Sequence, residues 1–278
     1  MNEKLARCLG WLGLVSLLSY AAAVVFSPLA YPGYDWMAQA VSDLSADTAP
    51  SRFLWNQLSA LYMPCGIVCV TLCCITIKGH FSRAVQAGIY LFSLMNWISA
   101  VGYAMFPLTQ AGISGQLQDV MHLAVTAAVV LLSIASLTLI VYGGLWQRVF
   151  PALGKWALAA LCLMIAGAVG TAVLPRAYFG IPERFSVFAC TGFTAVLGIY
   201  ESRGWKKTGG CMQKAGKLLL MIACVIGLAV GGVRLAMDKQ VGKMVAQLDA
   251  VAVVSPVQVA DGTYAGTAET PRSRSLWR

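Results

Sequence analysis

The chain reads as an all-α protein, a polytopic bundle of membrane-crossing helices, and three observations carry that reading. Hydrophobic residues make up 59% of the 278 residues and charged residues 11%, whereas a soluble domain carries about 25% charged residues. Seven stretches (8–30, 58–77, 84–107, 119–142, 153–174, 185–200 and 216–237) approach the roughly 20 apolar residues that a crossing needs. Three of them also end alike, in Pro28-x4-Gly33, Pro107-x4-Gly112 and Pro175-x4-Gly180, and residues 100–113 match 168–181 at seven of fourteen positions. Repetition at a fixed offset predicts three sequential hairpins (spans 1–2, 3–4 and 5–6) repeated in parallel about an axis along the membrane normal, followed by one more helix. Residues 1–237 form the expected transmembrane bundle. Residues 238–278 lose the long apolar runs and form a tail, either a linker or the start of a truncated domain.

Span one opens with Lys4 and Arg7 and passes AAA at 21–23, as a secretory signal would. Its apolar run is too long for a signal core and further spans follow, so it is read as retained. Span six is the shortest. With the N-terminus inside, eleven basic residues lie on the cytoplasmic side: Lys4, Arg7, Lys78, Arg83, Arg148, Lys155, Arg203, Lys206, Lys207, Lys214 and Lys217. Three (Arg52, Arg176 and Arg184) lie on the outer loops. That bias predicts a multi-pass protein of the cell membrane with a cytoplasmic N-terminus and an extracytoplasmic C-terminus. Trp11, Trp36, Trp55, Trp146, Trp156 and Trp205 fall near the expected interfaces as belt anchors. The bilayer is thus the first partner. The net charge of +9 is spread between apolar segments with no basic face or recognition motif, which argues against nucleic acid.

Polar residues concentrate on the outer face. In the first outer loop, 31–57, the spacing of Trp36, Met37, Ala40, Val41 and Leu44 predicts a short amphipathic helix, and Ser51 is placed to cap the second span. Asp119 and His122 stand one turn apart at the outer end of span four. Glu183 and Arg184 precede span six, Asn56 starts span two, and Asn96 within span three needs a partner for its amide. If the hairpins close into a ring, Asp35, Asp43, Asn56, Asp119, His122, Glu183 and Arg184 line one extracytoplasmic pocket. An ionisable residue at membrane depth is costly enough to mark function.

Counting residues limits the enzyme classes. The two histidines and nine cysteines contain no CxxC pair and no zinc spacing, so no metal ligands are assigned. Cys65, Cys69 and Cys73 recur every four residues as packing for one helix face. The single GxSG string, Gly112–Gly115, lies in a wet loop without the held geometry a nucleophile requires. No HExxH, Walker loop or dinucleotide fingerprint occurs, so no catalytic residue and no cofactor is assigned. The Gly227/Gly231 pair in span seven and the Gly167/Gly170 pair in span five offer close helix approach, within one chain or in a homo-oligomer.

The run Asp35-Trp36-x2-Gln39-x2-Ser42-Asp43-Leu44, followed by Ala49-Pro50 and Asn56, resembles an uncharacterised prokaryotic membrane family catalogued as domain of unknown function 998. Gly102-x3-Phe106-Pro107, His122 and Gly180-x2-Glu183-Arg184 add to the resemblance, which covers about residues 8–200. It implies a polytopic bundle and no activity. In the tail, Asp261-Gly262-Thr263-Tyr264-x-Gly266-Thr267-Ala268 resembles the opening strand of extracytoplasmic flavin-mononucleotide-binding domains. The attachment motif of those domains is absent before residue 278, so the chain alone is expected to bind no flavin. A truncated or frame-shifted reading of a longer flavoprotein would explain the basic ending. The expected function is the handling of a small solute or lipid at the outer pocket. The alternatives are an anchor or electron-transfer partner for a missing extracytoplasmic flavin domain, and an intramembrane hydrolase using Asp119 and His122.

Overall fold

The computed structural model describes residues 3–79, 81–112 and 115–205. They belong to one compact unit, Met1–Gly209, and a second unit spans Gly210–Arg278. His80, Ser114, the expected seventh span with Gly227 and Gly231, and the tail all lie outside the described residues.

Among the described residues, eight α-helices make six crossings. α1 (Glu3–Gly10) and α2 (Leu12–Phe26) form the first, α3 (Arg52–Leu58) and α4 (Tyr62–Thr76) the second. The others are α5 (Arg83–Met105), α6 (Leu117–Val141), α7 (Pro151–Val173) and α8 (Gly180–Ser202). All six are long and apolar enough to cross a membrane, and no strand occurs among the described residues. The chain is a multi-pass membrane protein of the all-helical bundle class.

The second crossing starts six residues earlier than the sequence predicts, at Arg52 rather than 58, and breaks at Ser59–Leu61. Pro64 causes the break, because it has no N–H and its ring crowds the carbonyl four residues back. Tyr62 donates to Ser59 O at 2.9 Å, which frees the Leu58 carbonyl. Ser19 of α2 takes that carbonyl at 2.6 Å, and Ser16 takes Tyr62 O at 2.7 Å. These two serines hold helix to helix, as hydroxyls between membrane helices do. Asn96 finds its partner on its own helix, donating to Phe92 O at 2.8 Å. α5 is capped by Ser82, whose hydroxyl accepts from the Val85 amide. α6 runs into a wider π turn at Tyr142–Trp146, where Gly144 packs on Gly154.

The helices close into a ring in chain order, α2 meeting both α4 and α8. α8 sits deepest: 61% of its most apolar window is buried, against 22–33% for the other spans. It touches each of the others, through Tyr20–Phe188 with α2 and Phe92–Phe193 with α5. It also meets α6 through Ser133–Cys190, and α4 and α7 along their length. Glycines set these approaches. A Cβ on Gly198 would lie 2.3 Å from Gly10 O, and one on Gly167 would strike Ser186 and Pro182. The Gly167/Gly170 face is therefore occupied by α8 of the same chain. Cys69, fully buried, fills the notch where α1, α4 and α8 meet, within 3.9 Å of Gly10 O and 3.8 Å of Thr194 O.

Two belt tryptophans turn out to have interior work. Trp55 packs edge-on to Tyr20 and Trp205 bonds to Glu201, while Trp146 is 84% exposed.

Candidate functional site

The three Pro-x4-Gly segments meet at one end of the bundle, and they end for different reasons. Gly33 and Gly112 take the left-handed conformation (φ 76 and 78), open to glycine at no steric cost. Gly180 does not. It begins α8, and a Cβ there would lie 2.4 Å from both Trp36 O and Gln39 O, so close backbone approach is what demands glycine.

The 31–51 segment lies across this end, without the amphipathic helix expected over 36–44. It holds a turn at 36–39 and a short 3-10 turn at Ser42–Ser45. Side chains intercept the amides that a helix would use. Gln39 accepts from the Asp35 amide (2.7 Å), Asp35 from Met37 (2.9 Å) and Asp43 from Ala40 (3.2 Å). The Val41 amide donates at 2.7 Å to Glu183 of α8. Ser51 gives no cap either, since its buried hydroxyl donates to Leu44 O at 2.8 Å.

Arg184 anchors the other side of the segment. It donates to Gly180 O (2.6 Å), Gln39 O (3.2 Å) and the Tyr34 hydroxyl (2.8 Å), and lies 6.0 Å over the Trp36 ring. Tyr34 in turn donates to Ala40 O at 2.7 Å. Gly180 N donates to Met37 O at 2.7 Å. A second set of bonds joins the segment to the Pro107-x4-Gly112 loop. Asp43 accepts from the Gly112 amide at 3.1 Å, and Asp47 and Thr48 donate their amides to Leu108 O and Thr109 O. Thr109 binds Asp119 through both amide (3.0 Å) and hydroxyl (2.9 Å). His122 Nδ1 lies 2.8 Å from Phe106 O; a carbonyl only accepts, so that nitrogen carries the proton.

Four of the seven residues named from sequence thus join one network running from α8 through the 31–51 segment to α6, namely Asp43, Asp119, Glu183 and Arg184, and His122 stands one turn from Asp119, bonded to Phe106 at the start of the same loop. Asp35 stays on the exposed rim, bonded within its own turn, and Asn56 is exposed on α3. Beneath the network lies a floor of tyrosines. Tyr20 stacks at 4.5 Å on Tyr62, and Tyr103 packs 4.8 Å from His122 and shares a 3.0 Å hydrogen bond with Thr126. Tyr34, Thr109 and Tyr103 escaped sequence reasoning; their only local signal was proximity to the repeated glycine ends. Among the described residues no group of three or more His, Cys, Asp or Glu could hold a metal ion.

A family model for proteins of unknown function, DUF998, matches residues 14–200. The chain belongs to that family. Neither a curated protein nor a solved structure matches it. The matched range takes in all three Pro-x4-Gly loops of this DUF998 protein and every residue of the network.

Burial and charge act against each other in the DUF998 loop network. Burial raises the Asp43 carboxyl above its ordinary value, partly offset by the amides of Gly112 and Ala40. Burial also pushes the Tyr34 hydroxyl up to about 12, against the pull of Arg184, so Tyr34 stays protonated near neutral pH. A carboxyl raised on folding binds more protons in the native state, so stability falls as pH rises through that window. Lowering the pH from neutral through the raised Asp43 value, toward the unfolded value near 3.9, is therefore expected to raise the resistance of the folded protein to denaturant. Asp43→Asn should flatten that pH dependence. An unchanged slope in the variant would assign it to another group.

Proposed function

We propose that this DUF998 protein resides in the cell membrane with its N-terminus cytoplasmic and handles a small solute or lipid at its extracytoplasmic end. One observation carries the reading: the most buried helix, α8, presents Glu183 and Arg184 together at that end, and both are engaged by a single loop segment close to a cluster of tyrosine rings. Charged side chains at membrane depth are costly and mark solute or proton paths. Here their present partners are mostly backbone groups of 31–51, which a ligand's polar groups can replace one for one. The orientation is supported by the described basic residues: Lys4, Arg7, Lys78, Arg83, Arg148, Lys155 and Arg203 sit at the end opposite the Pro-x4-Gly loops. Asp43, Asp119 and His122 complete the pocket, with Asp35 and Asn56 at its rim.

His122 tests the reading. It is 9% exposed, and its side chain makes one hydrogen bond, worth about 1 kcal/mol. His122→Ala is expected to cost about 1–3 kcal/mol in stability, from the lost bond and the void against Tyr103, while clearly weakening binding of whatever ligand a thermal-shift screen of solutes and lipids identifies in the wild type. A variant that loses stability but binds normally reduces His122 to helix packing. Labelling Tyr178→Cys in intact cells checks the sidedness: modification only after permeabilisation would reverse the orientation.

A further inference from the structure

The opposite end of the bundle carries a second polar cluster that the loop network does not use. After α8 the chain turns through Gly204 (φ 64) and Trp205 (φ 54), the latter a conformation that a bulky residue rarely adopts. Trp205 is held there by donating Nε1 to Glu201 Oε2 at 2.7 Å and to Thr76 Oγ1 at 3.2 Å. The Thr76 hydroxyl donates to the same carboxylate oxygen. Trp205 stacks on Tyr200 with rings 6.1 Å apart and 8° from parallel, and Phe150 and Phe81 pack against the pair. Strained backbone of this kind persists only where its surroundings over-determine it.

Two donors in this well-packed cluster are left over. Tyr200 is 0% exposed and its hydroxyl has no hydrogen-bond partner among the described residues, and Arg203 Nη1 is buried and equally without one among them. The Arg203 guanidinium lies within electrostatic reach of the Tyr200 hydroxyl. A second guanidinium lies against the turn that follows Arg203, because Arg7 Nε and Nη2 come within 3.2 Å of the place a Cβ on Gly204 would occupy. Its ion pair is with exposed Glu3 at 3.4 Å. The Glu201 carboxylate is occupied by Thr76 and Trp205.

We propose that this cluster binds an anionic phosphate group through Tyr200 Oη and Arg203 Nη1, with Arg7 adding positive charge from the neighbouring Gly204 turn. A guanidinium fork matches phosphate oxygens in geometry and charge, and a buried donor left unpaired is what such an oxygen would satisfy. Lys78, Arg83, Arg148 and Lys155 stand at the same end, and their summed field draws anions toward it. Basic pockets between membrane helices bind anionic headgroups in this manner. Free phosphate and the headgroup of an acidic phospholipid share the chemistry.

The full chain in detergent provides the test. Its melting temperature is measured with inorganic phosphate at constant ionic strength, with short-chain phosphatidylglycerol, and with short-chain diacylglycerol as the phosphate-free control. The wild type is expected to melt several degrees higher with a phosphate-bearing ligand than with diacylglycerol or chloride. Tyr200→Phe keeps the ring stack and removes the orphaned hydroxyl, so its ligand-free melting point should hold or rise while the ligand shift at least halves. Arg203→Gln should also lose most of the shift. A shift with inorganic phosphate assigns a free-anion site, and one with phosphatidylglycerol alone assigns a lipid headgroup. No shift with either ligand, or full shifts retained in both variants, overturns the proposal.

Discussion

Gly198→Ala in α8 is expected to lower the stability of the bundle by about 1–3 kcal/mol, the usual scale of overpacking, and Gly198→Leu to leave no folded protein. The added Cβ would sit 2.3 Å from Gly10 O, 3.0 Å from Cys69 Sγ and 3.1 Å from Gly13 Cα. Two of those atoms are backbone, so relief requires α8 to move away from the first crossing and not a rotamer change. Gly192, on the same helix, has nothing within 4 Å of its would-be Cβ. Gly192→Ala should therefore be neutral or gain up to about 1 kcal/mol from helix propensity. Unfolding in mixed micelles measures both. Equal behaviour of the two variants would mean that the Gly10–Gly198 contact does not set the helix spacing.

Arg184→Met should release the 31–51 segment. The substitution removes the bonds to Tyr34, Gln39 and Gly180, each of the charge-assisted kind worth about 1.5–3 kcal/mol. Because the three share one side chain they are not additive, and about 3 kcal/mol of local stability is the expected loss. That corresponds to roughly a hundredfold faster amide exchange across residues 34–43. Gly180→Ala should produce the same opening by another route, since its Cβ would press on Trp36 O and Gln39 O. Exchange that stays slow in both variants while the whole bundle melts earlier would show that Arg184 supports α8 and not the segment.

The crossings were legible because hydrocarbon imposes length and polarity on every one of them. Where the limits shifted, the reason is local. Span six opens at Gly180 and not at 185, because Glu183 and Arg184 stand in its first turn and depress the hydropathy there. The 36–44 segment shows helical spacing, yet Asp35, Gln39 and Asp43 compete for its amides, and the decisive acceptor, Glu183, is 142 residues from Val41. No periodicity reports a partner so distant. The joining of Asp43 to Gly112 and of Thr109 to Asp119 depends on loops meeting at one end, which the repeated Pro-x4-Gly hinted at without specifying pairs. Asn56 was named as a residue starting its span. With the helix beginning at Arg52 it lies a turn inside, on an exposed face. Glu201 drew no notice because the expected span ended at 200, one residue short of the carboxylate that organises the far end.

The central place of α8 has a consequence for how the chain is made. A ribosome delivers the crossings in order, and the last of the six described is the most buried one, which closes the ring between α7 and α2. Until it arrives, the notches at Gly10, Gly13 and Gly167 stand empty and Ser133 lacks its contact with Cys190. The first five crossings inserted into the bilayer are therefore an open palisade, and assembly waits on the arrival of its keystone.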